Sequence, residues 1–136
     1  MTKKRLIAWV CDYSNNSGEG NLARKFIKDL KKKNKYSSLI IKSSNTRLRY
    51  ISPFIGLYCC WKYFFKKDLI CYVNYLPLWN FFIFMLLPPK TILGPITGGA
   101  LYNKKNAINY IIRKFIFPIF YKISEIFIFL RFNKII

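Results

Sequence analysis

Residues Arg5 to Tyr13, RLIAWVCDY, form an almost unbroken apolar run near the start of the chain. Such a run has no alternating polar positions to turn toward water. It is also too short for a buried helix. A strand covered on both faces fits it, which is the pattern of a parallel sheet. Parallel neighbours need long crossovers, so the rest of the chain must supply helices between further buried strands.

The sequence meets that demand in order. Ser14 to Gly20, SNNSGEG, is a polar, glycine-containing loop, and Asn21 to Lys33 reads as a helix with Leu22, Phe26, Ile27 and Leu30 on one face. Ser38 to Lys42 reads as a second strand, followed by a polar turn at Ser43 to Thr46. Leu48 to Phe65 has helical spacing, with Pro53 near its start and Gly56 inside. Leu69 to Tyr75 is a third strand, Leu78 to Leu87 a short helix and Thr91 to Leu93 a fourth strand. Asn106 to Phe132 is a long helical zone, bent or broken at Pro118, and Asn133 to Ile136 opens one more strand. The expected fold is therefore a single α/β domain over residues 1–136, a doubly wound parallel sheet with helices on both faces. Ligands of such sheets bind beyond the carboxyl ends of the strands.

Composition narrows the chemistry. The chain has no His, so a histidine base and a His-ligated metal are excluded, and its five carboxylates are too few to suggest an oxygen-ligand cage. With 24 Lys+Arg the net charge is +19. Ile, Lys, Asn, Phe and Tyr exceed half of the residues, so A/T-rich codon usage accounts for much of that charge. The field acts regardless of origin, and an anionic membrane surface suits it. No RNA- or DNA-binding module motif is present, and no nucleic acid partner is expected. Lys31, Lys32, Lys33 and Lys35 suit a solvated helix end.

Cys11, Cys59, Cys60 and Cys71 lack the spacing of a zinc site and read as reduced thiols of a cytoplasmic protein. Lys3-Lys4-Arg5 before the first apolar run imitates a signal peptide, but Asp12 cuts the run short. The uncharged stretch Leu69 to Pro89 has bilayer length, yet Asn74, Pro77 and Asn80 interrupt it. The second apolar zone, Ala107 to Phe132, contains Arg113, Lys114, Lys122 and Glu125. Peripheral association with the inner face of the membrane is therefore expected rather than a span.

Two loops fall at carboxyl strand ends. Ser17-Gly18-Glu19-Gly20 either presents helix amides to an anionic or polyhydroxyl ligand, or is a tight turn with Ser17 as the cap. Gly94 to Gly99, GPITGG, is either a second amide-presenting loop, with Thr97, Gly98 and Gly99 at its exposed end, or a rigid turn. Asp12 and Glu19 are the carboxylates near these loops and are candidate general bases, although Asp12 can equally cap a local amide. Asn74, Trp79 and Asn80 flank the third strand. Asn can hydrogen-bond a sugar hydroxyl, and Trp can stack on a sugar face or fill the core.

Trp9 to Ala23, WVCDYSNNSGEGNLA, together with Tyr72 to Asn80, YVNYLPLWN, and Ile92 to Gly99, ILGPITGG, resembles the N-terminal domain of bacterial GT-B glycosyltransferases of the broad family-4/group-1 class. The likeness runs through nearly the whole chain in order. It implies a Rossmann-like acceptor-side domain, the N-terminal half of a GT-B architecture. It further implies transfer from a nucleotide-sugar donor to a glycan or lipid-linked acceptor in envelope polysaccharide synthesis, without a metal or other cofactor. By position, Ser17, Gly18, Glu19 and Gly20 would lie near the donor diphosphate, and Gly94 to Gly99 would line the acceptor side. Many members carry a His near the reaction centre, which this chain lacks. The chain stops where the family's next strand would begin, so a nucleotide-sugar domain or separate subunit is the expected partner, and inactivity is expected without it. The other reading of the same residues is a small basic membrane-associated protein without enzymatic activity.

Overall fold

The computed structural model describes residues 5–33, 39–43, 51–74, 76–96 and 107–132. Their order is β1 (Leu6–Val10), α1 (Gly18–Lys33), β2 (Leu39–Ser43), α2 (Ser52–Phe64), β3 (Leu69–Tyr72), α3 (Phe81–Leu86), β4 (Ile92–Leu93), α4 (Ala107–Ile111), a π-helical turn (Ile112–Ile116) and α5 (Phe117–Arg131). The four strands are parallel in the order β2-β1-β3-β4. The strand expected at Asn133 to Ile136 lies outside the described residues, as do Lys35 and the Ser43–Thr46 turn beyond Ser43.

The apolar run of β1 is buried throughout. Its side chains alternate between two cores. Leu6, Ala8 and Val10 join Cys71 and Val73 against Ala23, Ile27 and Leu30 of α1. Ile7 and Trp9 join Ile70, Tyr72 and Leu93 against α2, α3 and α5. Helices therefore cover both faces of the sheet, as expected from the sequence. The Leu69–Pro89 stretch is not one helix. It divides into β3, a turn in which Asn80 N–H donates to Pro77 O, and α3. No helix among the described residues is long and apolar enough to cross a membrane.

Several boundaries differ from the sequence reading, among them the start of α3 at Phe81 rather than Leu78. Helix α1 begins at Gly18 rather than Asn21 because Ser17 caps it: the Gly20 amide donates to Ser17 Oγ and the Asn21 amide to Ser17 O. The Ser17–Gly20 motif is thus the cap and first turn of the helix, not an open loop. In the C-terminal zone the irregularity precedes Pro118 instead of falling at it. Pro118 has no amide to donate and its ring crowds the preceding turn, and the widened Ile112–Ile116 turn accommodates both, with Phe117 N–H donating to Ile112 O. The strands are shorter than the apolar runs, β3 ending at Tyr72 and β1 at Val10. Beyond Val10 the chain turns at Asp12, and beyond Tyr72 one further bond, Val73 N–H to Trp9 O, extends the pairing.

Helix α2 starts with Pro53 in its first turn and ends in a Schellman turn. There Asp68 N–H donates to Tyr63 O and Lys67 N–H to Phe64 O, with Lys67 at φ 61°. Within α2, Gly56 lets the helix sit on the Trp9 indole: a Cβ there would come within 2.4 Å of Nε1. At the far end, Lys90 N–H donates to Arg131 O and Arg131 donates to Leu87 O, tying α5 to the segment before β4. Ser124, fully buried, donates to Leu78 O.

Gly56→Ala is expected to destabilise the fold by about 1–3 kcal/mol through overpacking against Trp9. Lys67→Gly relieves a left-handed residue and is expected to stabilise by about 0.5–1 kcal/mol. Urea titration of both variants checks the opposite signs. Burial also pushes the Cys60 and Cys71 thiols and the Tyr72 hydroxyl well above their ordinary ranges. The folded chain keeps these protons where the unfolded chain releases thiol protons above about pH 8.5. Stability is then full below that pH and falls above it, by about 1.4 kcal/mol per pH unit for each buried thiol. Thermal melts from neutral to alkaline pH test this.

Candidate functional site

The carboxyl ends of β1 and β3 adjoin in the sheet, where Trp9 pairs with Tyr72 and Val73 N–H donates to Trp9 O. Strand β1 crosses to β2 on one side of itself, and the chain then returns to place β3 on the other. The order reverses there, and this is the position where open α/β sheets take their ligands. Asp12, the Ser17–Gly20 turn and Asn74, singled out from the sequence, meet there.

Asp12 holds the turn after β1. Its Oδ1 accepts from the Ser14 amide at 2.9 Å and its Oδ2 from Ser17 Oγ at 2.5 Å. Ser14 Oγ also donates to Ser17 Oγ, at 3.1 Å. Ser17 in turn accepts from the Gly20 amide at 2.9 Å, so the carboxylate, the hydroxyl and the helix amide form one relay. Asp12 thus has the capping role that its position allowed. The close turn requires glycine at residue 20, where a Cβ would lie 2.3 Å from Ser14 O. Gly18 differs: nothing lies within 4 Å of a Cβ placed there. Its amide and that of Glu19 are first-turn donors with no acceptor earlier in the helix.

Asn74 reaches this turn from the other strand. It is 6% exposed, and its Nδ2 donates to Asp12 O at 3.2 Å with a longer approach of 3.5 Å to Glu19 O. Its Oδ1 is buried and has no hydrogen-bond partner among the described residues. Asp12, Ser17, Gly18, Glu19, Gly20 and Asn74 therefore form one cluster. Thr97, Gly98 and Gly99 lie outside the described residues. The segment leading to them is fixed by Gly94 N–H donating to Tyr72 O at 2.8 Å. Trp79 stacks on Phe117 with ring centroids 5.6 Å apart, so one face of its indole is occupied by the C-terminal helix.

The electrostatics beside this turn favour a neutral Cys11 thiol. Burial raises the Cys11 pKa, and the nearby charge of Glu19 adds to the effect. Ser52 at the start of α2 donates to Cys11 Sγ at 3.2 Å. The Trp9 indole N–H and the Tyr72 hydroxyl, both buried without a good hydrogen bond, lie near enough to the same sulfur to oppose the rise. Sequence reasoning did not place Ser52, Trp9 and Tyr72 here. A period-2 reading of β1 does put Trp9 and Cys11 on one face, but the register that sets Tyr72 beside Trp9 is a tertiary fact. Among the described residues no group of three or more His, Cys, Asp or Glu is placed to hold a metal.

Ser17→Ala is expected to cost about 1 kcal/mol as a lost cap. Gly20→Ala should cost about 1–3 kcal/mol, since the obstructing atoms are backbone. Gly18→Ala should stay within about 0.5 kcal/mol. Denaturant midpoints of the three variants measure the ranking. Compared with family models, with curated proteins and with solved structures, the chain matches none.

Proposed function

We propose that this chain is the acceptor-side, Rossmann-like domain of a GT-B-type glycosyltransferase that transfers a sugar from a nucleotide-sugar donor to a glycan or lipid-linked acceptor. One observation carries the reading. Asn74 from the β3 side and the capped first turn of α1 meet at the point where strand order reverses. The open Gly18 position and the first-turn amides suit a diphosphate or a sugar hydroxyl, and the buried Asn74 carbonyl oxygen suits a hydroxyl donor.

In this reading the two carboxylates divide their work. Asp12, bound by Ser14 and Ser17, positions the turn. Glu19, exposed in the first turn of α1, takes the proton of the acceptor hydroxyl as its oxygen attacks the anomeric carbon. The nucleotide leaves with the electron pair of the broken glycosidic bond. A second domain or subunit holds most of the donor nucleotide. No cofactor takes part.

The test is amide and side-chain NMR of the labelled chain titrated with a short-chain prenyl-diphosphate-linked saccharide. Shifts are expected at Gly18, Glu19 and the Asn74 side-chain amide, with Glu19→Gln retaining binding and Asn74→Leu weakening it about tenfold, the loss expected for a polar group left unpaired. Binding that leaves these three resonances unmoved, or no binding at all, overturns the proposal.

A further inference from the structure

The two sides of the sheet present opposite surfaces to their surroundings. On one side α1 is mostly polar outward: Lys25, Lys28, Asp29, Lys31 and Lys32 are exposed, and Ala23, Ile27 and Leu30 face the core. Leu22, expected on the same face, is 48% exposed because the cap at Ser17 turns it outward. On the other side α2, α3 and α5 also bury one face, yet their outer faces are apolar as well. Phe54, Tyr58 and Phe65 follow one another along α2 and its end, Phe82 stands on α3, and Ile119 and Phe129 on α5. Phe65 is 76% exposed and Phe129 85%. The three helices share one layer: α2 is joined to α3 by Trp61 Nε1 donating to Leu86 O, and α3 to α5 by Phe81 against Phe120. Large apolar side chains left exposed on three helices of one layer mark an interaction face.

Charge selects the occupant. The exposed cations of this layer include Lys62, Lys66, Lys90 and Lys114. Its two acids are already matched, Asp68 by Arg5 at 3.2 Å and Glu125 by Lys122 at 2.9 Å. Lys66 lies over the Tyr63 ring, and Lys114 over Tyr110 and Phe115. These ammonium groups stand over aromatic surface, which sets cation and ring side by side on this layer. A second copy would bring like charges together on a chain of net charge +19. An anionic lipid surface satisfies both parts of this chemistry at once.

We propose that the outer surface of α2, α3 and α5 docks on an anionic lipid bilayer, with Phe54, Phe65, Phe82, Ile119 and Phe129 entering the headgroup boundary. This rests on the surface alone and not on the sugar-transfer reading. The test is flotation of the full chain with phosphatidylcholine vesicles, with and without phosphatidylglycerol, at about 0.15 M salt. Binding is expected with the anionic vesicles. Phe54→Ser/Ile119→Ser/Phe129→Ser should lower partitioning about tenfold or more. Lys62→Gln/Lys114→Gln should lower it roughly fivefold per charge. Lys25→Gln/Lys28→Gln/Lys32→Gln on α1 should change it by no more than about twofold. Circular dichroism melts confirm that the surface variants fold. The proposal is overturned if the α1 variant loses binding as far as the other two, or if the wild-type chain ignores anionic vesicles. A dimer in light scattering that the Phe54/Ile119/Phe129 variant dissolves, without vesicle binding, also overturns it and assigns the face to a second copy.

Discussion

The structure depends on the burial of β1 from both sides. With Leu6, Ala8 and Val10 in one core and Ile7 and Trp9 in the other, this strand cannot occupy an edge. It therefore has neighbours on both sides, and it organises two helical layers. The polar turn after it is carried to the carboxyl edge of the sheet. Asn74 is carried there by β3, whose side chains split between the same two cores. The cluster above the strands is thus a consequence of how a short apolar run satisfies its backbone and its side chains together.

The turn itself is stiff for a definite reason. Asp12 bonds to a backbone amide and to the hydroxyl that caps α1, so moving the helix start would leave a carboxylate and an amide unpaired together. Asn74 adds a bond from a separate strand, so its position and that of the turn are fixed relative to each other. The Gly18 position stays open beside this rigid turn.

Much of the fold could be read from the residues, because apolar run length and helical periodicity are strong local signals. All four strands and the helices between them lie where the runs placed them. The ends were not legible. That Ser17 caps α1 depends on Asp12 turning back to hold its hydroxyl, a contact that spacing allows but does not require. The π turn at Ile112–Ile116 depends on a proline two residues beyond it. For the site, Asp12, Ser17, Gly18, Glu19, Gly20 and Asn74 were named from position after a strand, and they do come together. The setting of Cys11 among Ser52, Trp9 and Tyr72 was hidden, since it needs the parallel register and the crossover of α2. The apolar outer layer was hidden for a related reason. Helical zones rich in Phe and Ile read as core until one knows which of their faces the sheet consumes.

The widened turn between α4 and α5 has a consequence of its own. A π turn holds one residue more than an α turn, so the angular phase of the side chains slips by about 100° across it. A single helical wheel drawn from Ala107 to Arg131 therefore mixes two azimuths. Residues on either side of the turn are to be read as two wheels. Removing one residue from Ile112–Ile116 would restore a common phase, and the α4 segment would then rotate about the axis while α5 stayed keyed to the sheet through Ser124 and Ile128.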